Sequence, residues 1–212
     1  MNRLLGAACL TIIVPVAAGC VPKAHALPGV PTRAELPPIE IPRGHTRWVF
    51  DWKYEDPDIH ASGDGALRAA YPDSARLDLF IGGGMGAAAA VLVGDDLRAP
   101  GPAALRRMIP PAPLLWAALG RLAVPPAADT TARLDGDTLR ADIGRGSVWR
   151  VTIAGGALRR LERIDDGRIV QSVVRADDRH VRYFDAASRR SLELVITSVD
   201  SNAELDASIW SF

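Results

Sequence analysis

Cysteine is scarce in this sequence, which holds only Cys9 and Cys20 among its 212 residues. Cys9 lies within an apolar N-terminal stretch that we predict to be a cleaved signal peptide, so the mature chain would keep one cysteine. One cysteine cannot form an internal disulfide, which excludes a small fold held together by disulfide bonds. The chain must instead be stabilised by a packed core, for which it is long enough.

The sequence also has no excess of positively or of negatively charged residues. Lys and Arg together number 25, Asp and Glu together number 25, and the formal net charge is zero. Proteins that bind nucleic acid usually carry a basic field. The composition therefore predicts no nucleic-acid partner.

The usual signatures of catalysis and metal binding are not found. The sequence contains no Gly-x-Ser-x-Gly and no His-Glu-x-x-His, and residues 144–147 approach the former by composition only. His60 and His180 are far apart in sequence and have no evident third partner for a metal. The glycine-rich residues 82–86 lack the Lys-Ser or Lys-Thr of a phosphate-binding loop. We therefore predict that the protein is not an enzyme and uses neither a metal nor another cofactor.

The N-terminus has the pattern of a lipoprotein signal. A short positive region that contains Arg3 precedes the apolar residues 4–18, and Ala17-Ala18-Gly19-Cys20 resembles the lipobox of bacterial lipoproteins. We expect residues 1–19 to be removed and Cys20 to be acylated. The alternative is an ordinary secretory signal whose apolar region ends beside a cysteine. The residue after the cysteine is Val21 and not the aspartate that favours inner-membrane retention, so an outer-membrane location with the domain facing the periplasm is predicted.

Residues 20–44 are rich in proline. Six prolines interrupt residues 21–44, and proline breaks both helices and strand ladders. We expect an extended tether that holds a folded domain, residues 45–212, clear of the lipid headgroups.

Most of the predicted domain has the pattern of β-hairpins. Trp48, Phe50, Trp52 and Tyr54 alternate with polar residues in the period of two that is typical of a half-buried strand. Further on, Asp-Gly and Gly-Gly pairs recur at regular spacing and favour tight turns between antiparallel strands. The sequence predicts a mainly β, antiparallel, single-domain protein whose sheet is strongly curved or forms an open barrel.

One apolar stretch interrupts the hairpins. Between Pro113 and Pro125 the residues are apolar except for Arg121 and Gly120, and the spacing places several of them on one helical face. A helix confined there is roughly 16 Å long, too short for the roughly 30 Å that a membrane span needs. It is either a core helix that plugs the fold or a lid over an apolar cavity. The side chains expected to line such a lid or cavity, together with Trp149 from a strand face, are Leu114, Leu115, Trp116, Leu119 and Leu122.

Several segments, taken in order, resemble the LolA/LolB superfamily of lipoprotein carriers, and LolB most of all. They are Gly63-Asp64-Gly65-Ala66-Leu67-Arg68, Tyr71-Pro72-Asp73, Arg76-Leu77-Asp78-Leu79, residues 82–86, Leu114-Leu115-Trp116-Ala117-Ala118-Leu119-Gly120, Val124-Pro125 and Trp149-Arg150-Val151. The resemblance implies an open β-barrel of about eleven strands covered by short helices. It also implies that acyl chains of lipoproteins or lipids are bound inside, and that a periplasmic carrier protein is a partner. By position, Met85 matches an apolar residue that such proteins project from a loop to help insert cargo into the membrane.

Three functions remain open at this point. The first is a carrier or acceptor of lipoproteins or lipids at the outer membrane, attached through its N-terminal lipid. The second is a lipoprotein that binds a free lipid or glycolipid, similar to the LppX branch of the same fold. The third is a non-enzymatic envelope lipoprotein that binds a protein partner and has no cavity.

Overall fold

The structure is a computed structural model, and it describes residues 21–33, 35–82, 85–125 and 127–211; at Met85 and Ala87 only the backbone is described. Cys20 and the predicted signal peptide lie outside the described residues. The strands are β1 (Val30–Thr32), β2 (His45–Glu55), β3 (His60–Ala70), β4 (Ser74–Ile81), β5 (Met85–Val93), β6 (Asp96–Arg98), β7 (Thr131–Asp135), β8 (Thr138–Ile143), β9 (Val148–Ala154), β10 (Ala157–Asp165), β11 (Arg168–Arg175), β12 (His180–Asp185) and β13 (Arg190–Asp200). The helices are α1 (Ala103–Arg106), α2 (Ala112–Ala118) and a 3-10 helix (Ala207–Trp210).

Within the described residues, the strands form one antiparallel sheet with the order β1-β7-β8-β9-β10-β11-β12-β13-β2-β3-β4-β5-β6. The sheet is curved and not closed, with β1 and β6 at its two edges. This confirms the mainly β, antiparallel, open fold expected from the sequence. The thirteen strands exceed the expected number of about eleven because both edge strands, of three residues each, add to the longer ones.

The alternation seen in the sequence sets the two faces of the sheet. In β2, Phe50, Trp52 and Tyr54 are buried, whereas Asp51 and Lys53 between them are exposed. Inward-pointing residues of the other long strands join them, and the resulting core lies between the concave face of the sheet and α2. A shift of one residue in the pairing of β2 with its neighbours would turn these buried side chains to the solvent face. The alternating pattern therefore fixes the register of the strand.

Helix α2 is shorter than the 113–124 helix that the two prolines predict. It ends at Ala118, and Gly120 takes a φ of 87°, a left-handed conformation that glycine adopts easily. The amide of Gly120 donates to Ala117 O at 3.0 Å and that of Arg121 to Trp116 O at 2.9 Å. This is the Schellman pattern of helix ends, and it turns the chain away before Leu122.

The N-terminal segment, which we define as residues 21–44, lies on the domain instead of extending from it. β1 pairs with β7, the amide of Leu122 donates to Ile39 O at 3.0 Å, and Ile41 is buried in the core. The expectation of a free tether whose prolines exclude ladder pairing was therefore wrong for residues 21–33 and 35–44. Pro31 is tolerated because β1 is an edge strand, where a missing N–H need not be paired. The division of the chain at residue 45 stays a prediction.

Candidate acyl-chain site beneath the short helix

Helix α2 lies over the concave face of the sheet with nearly all of its surface buried. Leu114 and Trp116 are fully buried and Leu115 nearly so. The helix contacts β10, β11 and β12. The indole N–H of Trp116, in the middle of the helix, donates to Gly94 O at 2.8 Å, and this bond joins the helix to the β5–β6 turn. The helix therefore lies across the concave face, between the middle strands of the sheet and the β5–β6 turn, and we call it the lid.

A small apolar cavity lies directly under the end of the lid. Its volume is about 20 Å³, which is room for roughly one water molecule. This volume is far too small for an acyl chain, which can enter here only if the lid moves. The cavity is lined by Trp48, Phe50, Leu67, Ala118, Leu119, Arg175, Val181, Leu194 and Ile196.

Among the described residues, Arg175 is the one charged residue that lines this cavity. Its guanidinium donates a short hydrogen bond to the carbonyl oxygen of Ala118, the last residue of the lid. The carbonyls at a helix C-terminus carry partial negative charge and are stabilised by a cation. Burial lowers the pKa of Arg175, and within the described part of the chain no carboxylate lies within 4.0 Å of it to form an ion pair. The charge is thus directed at the end of the lid.

A second arginine, Arg190, contacts the chain just after α1, at the other end of the stretch that contains both α-helices. Arg190 Nη1 donates to the carbonyl oxygen of Arg107, just after α1, at 2.7 Å. Arg190 also forms an ion pair of 2.9 Å with the buried carboxylate of Asp185, which accepts from Gln171 Nε2 at 3.0 Å. Burial alone would raise the pKa of Asp185, but the hydrogen bonds from Gln171 and Ser188 and the charge of Arg190 outweigh it and hold that pKa below its usual value.

The N-terminal segment completes the lid on its outer side. Arg121 stacks on the ring of Trp116 at 4.5 Å from the centroid and forms an ion pair of 3.5 Å with Glu40. Together with the backbone bond between Leu122 and Ile39, these contacts join the segment to the chain that leaves α2. Movement of the lid would therefore disturb the N-terminal segment too.

The structure brings the six predicted lid and cavity residues into one cluster. Leu114, Leu115, Trp116 and Leu119 belong to the buried core, and Leu122 and Trp149 are half-buried against it. Of the six, only Leu119 lines the cavity itself. That the cluster binds acyl chains stays a prediction.

Sequence reasoning missed the two arginines that hold the lid region. A signal for Arg175 was present, because it is two residues after the buried Val173 and so occupies an inward position of β11. A charged residue at an inward position of a strand needs a polar partner, although the sequence could not show that this partner is the end of a helix.

Met85 is placed by its backbone alone. It is the first residue of β5 and pairs with Ile81, the last of β4. Residues 83 and 84, the centre of the predicted insertion loop, lie outside the described part of the chain. Ile81, next to them, is a large apolar residue that is 43% exposed. The role of Met85 in membrane insertion stays a prediction.

No group of three or more His, Cys, Asp or Glu residues that could hold a metal ion occurs in the part of the chain that the structure describes. Among the same residues, no helix combines the length and the apolar character needed to cross a bilayer. The candidate site therefore consists of apolar side chains and two arginines bonded to backbone carbonyls.

No protein-family model matches the chain, and no curated protein matches it. Three solved structures are similar to it. A LolA superfamily protein from Nitrosomonas europaea is 13% identical over 82% of this chain and 93% of that one, with a TM-score of 0.48. A proposed outer membrane lipoprotein-sorting protein domain from Vibrio parahaemolyticus is 9% identical over 79% and 89%, with a TM-score of 0.42. A DUF1329 family protein from Desulfovibrio piger is 8% identical over 80% and 90%, also with a TM-score of 0.42. A solved LolA superfamily protein is thus among the structures that this chain is similar to, at an identity that transfers no activity to it.

Proposed function

We propose that this chain is an outer-membrane lipoprotein, attached through an acylated Cys20, that receives acyl chains of lipidated proteins or of lipids beneath the lid. A periplasmic carrier protein would deliver the cargo, and the domain would pass it to the membrane. The observation that supports this most is the lid itself, a single short apolar helix over the concave face of an unclosed sheet. Among the described residues its side-chain hydrogen bonds are few: Trp116 donates to Gly94 O, and Arg175 donates to the carbonyl oxygen of Ala118 at its C-terminal end.

Such a site needs no reacting residue. Each methylene group of an acyl chain gains about 0.8 kcal/mol when it leaves water, so burial of a long chain could offset the packing energy that the core gives up when the lid is displaced. The apolar core side chains beneath the lid would then face the ligand. In this proposal, the closed arrangement of the lid is the ligand-free form of the cycle.

The small volume of the cavity under the lid favours a second candidate. If the lid never opens, the cavity of about 20 Å³ is too small for any lipid, and the protein would be an envelope lipoprotein that binds a protein partner through its surface. The two candidates differ in one measurable property, the stoichiometric uptake of an acyl chain.

Native mass spectrometry of the full-length protein, released from detergent in the presence of a palmitoylated peptide, tests this uptake. We expect one peptide bound per chain, and we expect Leu119→Phe, which fills the cavity at a cost of about 1–3 kcal/mol of stability, to weaken binding. Leu134→Phe is the matched control, because Leu134 is exposed on β7. A wild-type protein that takes up neither this peptide nor palmitate while it remains folded would support the second candidate.

The anchor is tested separately. Cys20→Ala should abolish metabolic labelling with a fatty-acid probe and release the domain from the outer-membrane fraction, since acyl chains on the cysteine provide the attachment. If the unchanged protein does not take up the label, the lipoprotein assignment fails whatever the lid does.

A further inference from the structure

A basic groove runs beside the start of the N-terminal segment, and it shares only Arg175 with the described lining of the cavity under the lid. Its volume is about 660 Å³, one wall is made by residues 25–28, and Glu162 is the single acidic residue that lines it in the part of the chain that the structure describes. Five arginines from β8, β9, β10 and β11 line it: Arg140, Arg150, Arg159, Arg160 and Arg175. We call this site the arginine groove.

The arginines of the groove keep donors for a ligand. Arg159 and Arg160 each bond a carboxylate through a single nitrogen, to Asp178 at 3.2 Å and Glu162 at 3.3 Å. A guanidinium has five N–H donors, so neither contact saturates its arginine. Arg175 gives its described hydrogen bond to a neutral carbonyl. The planar guanidinium of arginine can donate two parallel hydrogen bonds to the oxygen atoms of a phosphate, which the ammonium group of lysine cannot do.

One arginine builds the wall of the groove. Arg150 makes two hydrogen bonds to Asp142, of 2.7 and 2.8 Å, and its remaining terminal nitrogen donates to the carbonyl oxygen of His25 at 2.7 Å. The N-terminal segment is therefore fixed to the sheet at the groove, and its path is part of the site.

The chain that follows the predicted lipid attachment is fixed next to this wall. Ile169, which lines the groove, donates its amide to Pro22 O at 2.9 Å, and Ala24 donates to Gly167 O at 2.8 Å. Cys20 is two residues before Pro22, and two residues span at most about 7 Å. Acyl chains on Cys20 would thus hold the β10–β11 turn at the membrane surface, with the groove next to the headgroups.

We propose that the arginine groove binds the phosphate group of an anionic phospholipid in the membrane to which Cys20 is attached. The inference rests on the proposed function for the position of the membrane. It orients the domain with its β10–β11 side on the bilayer. Because Arg175 lines the groove and also bonds the end of the lid, the bound headgroup would lie beside the place where the lid opens.

Isothermal titration calorimetry on the full-length protein in dodecyl maltoside micelles tests the site. The ligands are dihexanoyl phosphatidylglycerol, dihexanoyl phosphatidylcholine and inorganic phosphate. We expect phosphatidylglycerol to bind at least about tenfold more tightly than phosphatidylcholine, since arginines near an anionic surface each contribute several-fold. The double variant Arg159→Gln, Arg160→Gln should remove most of this preference. Both arginine side chains are partly exposed, and a glutamine at position 160 can still donate a hydrogen bond to the buried Glu162, so we expect the fold to remain intact.

The matched control is the double variant Arg47→Gln, Arg98→Gln. These arginines are also exposed and also form ion pairs, with Asp200 and Asp96, but they do not line the groove. Equal affinity for the two lipids, or an equal loss in the control variant, would overturn the proposal. If inorganic phosphate binds as tightly as phosphatidylglycerol, the groove takes free phosphate and the membrane assignment is wrong. Because the two lipids carry the same acyl chains, uptake under the lid cannot make one of them bind more tightly than the other. The preference measured in this titration is therefore independent of whether acyl chains enter beneath the lid.

Discussion

The guanidinium of Arg175 donates a hydrogen bond to the carbonyl oxygen of Ala118, so a charge on strand β11 is held against the end of the lid. The contact is made where the helix presents its unpaired carbonyls. It connects the cavity under the lid with the arginine groove, since Arg175 lines both. Any opening of this end of the lid has to break or move this bond.

Arg175→Met should therefore loosen the lid more than it destabilises the domain. A hydrogen bond from a charged group contributes about 1.5–3 kcal/mol, but removing a buried charge also removes its desolvation cost. We expect amide hydrogen exchange in α2 to accelerate by about tenfold, while the free energy of global unfolding changes by about 1 kcal/mol or less. Arg182→Met, at an exposed ion pair with Glu193, is the control. Unchanged exchange in α2 would mean that Arg175 does not restrain the lid.

Two leucines of the lid region separate packing from cavity size. Leu115 and Leu119 are both buried, but only Leu119 lines the cavity. Each change to alanine should cost about 2–5 kcal/mol of stability, measured by urea unfolding. Only Leu119→Ala should also increase the uptake of a palmitoylated peptide, because it enlarges the existing space. Equal uptake by the two variants would argue that this cavity is not the entry point.

The N-terminal segment should contribute to stability. Ile41 is 3% exposed and packs in the core, so Ile41→Ala is expected to lower the free energy of unfolding by about 2–5 kcal/mol. Val30→Ala, at a residue of the same segment that is 71% exposed, should have almost no effect. If both variants unfold like the wild type, the segment is a free tether in solution.

Stability should decrease in acid partly through Asp185. Its pKa in the folded protein lies below the usual value, so the carboxylate stabilises the fold fully above about pH 4. As the pH falls through the folded pKa, the carboxylate is protonated and that contribution is lost. Asp185→Asn should reduce the dependence of the unfolding free energy on pH below about pH 4, whereas Asp51→Asn, at an exposed position, should leave it as it is. An unchanged acid profile in Asp185→Asn would contradict this assignment.

The β4–β5 hairpin is the predicted point of membrane insertion. Met85→Glu should leave the melting temperature nearly unchanged and slow the transfer of cargo into liposomes, because one apolar side chain in lipid is worth about 1.5–3 kcal/mol. Ile81→Glu should act in the same way, since Ile81 is the exposed partner of Met85 in the ladder. Val93→Glu, at an exposed residue near the other end of β5, should not slow transfer. If Met85→Glu unfolds the domain, the residue belongs to the core.

The sequence by itself determined the class of fold and the identity of the core. Trp52 and Tyr54 point inward because a strand places every second residue on the same face, and this period is fixed by backbone geometry alone. Turns such as Asp166-Gly167, where both residues have positive φ, are likewise set by local chemistry. The helical spacing of the apolar residues from Leu114 to Leu119 likewise predicted a helix with one apolar face, and it left open whether that helix is part of the core or a lid.

Only the tertiary structure decided where that helix stops and what holds it. Gly120 could have continued the helix or ended it, and the close approach of Arg175 to its end joins residues far apart in sequence. The prolines of the N-terminal segment indicated an extended chain, but local preference cannot say whether an extended chain finds a sheet edge to pair with, as β1 does with β7. The volume left under the lid depends on the packing of side chains from several separate strands against the helix, and no pattern along the sequence determines it.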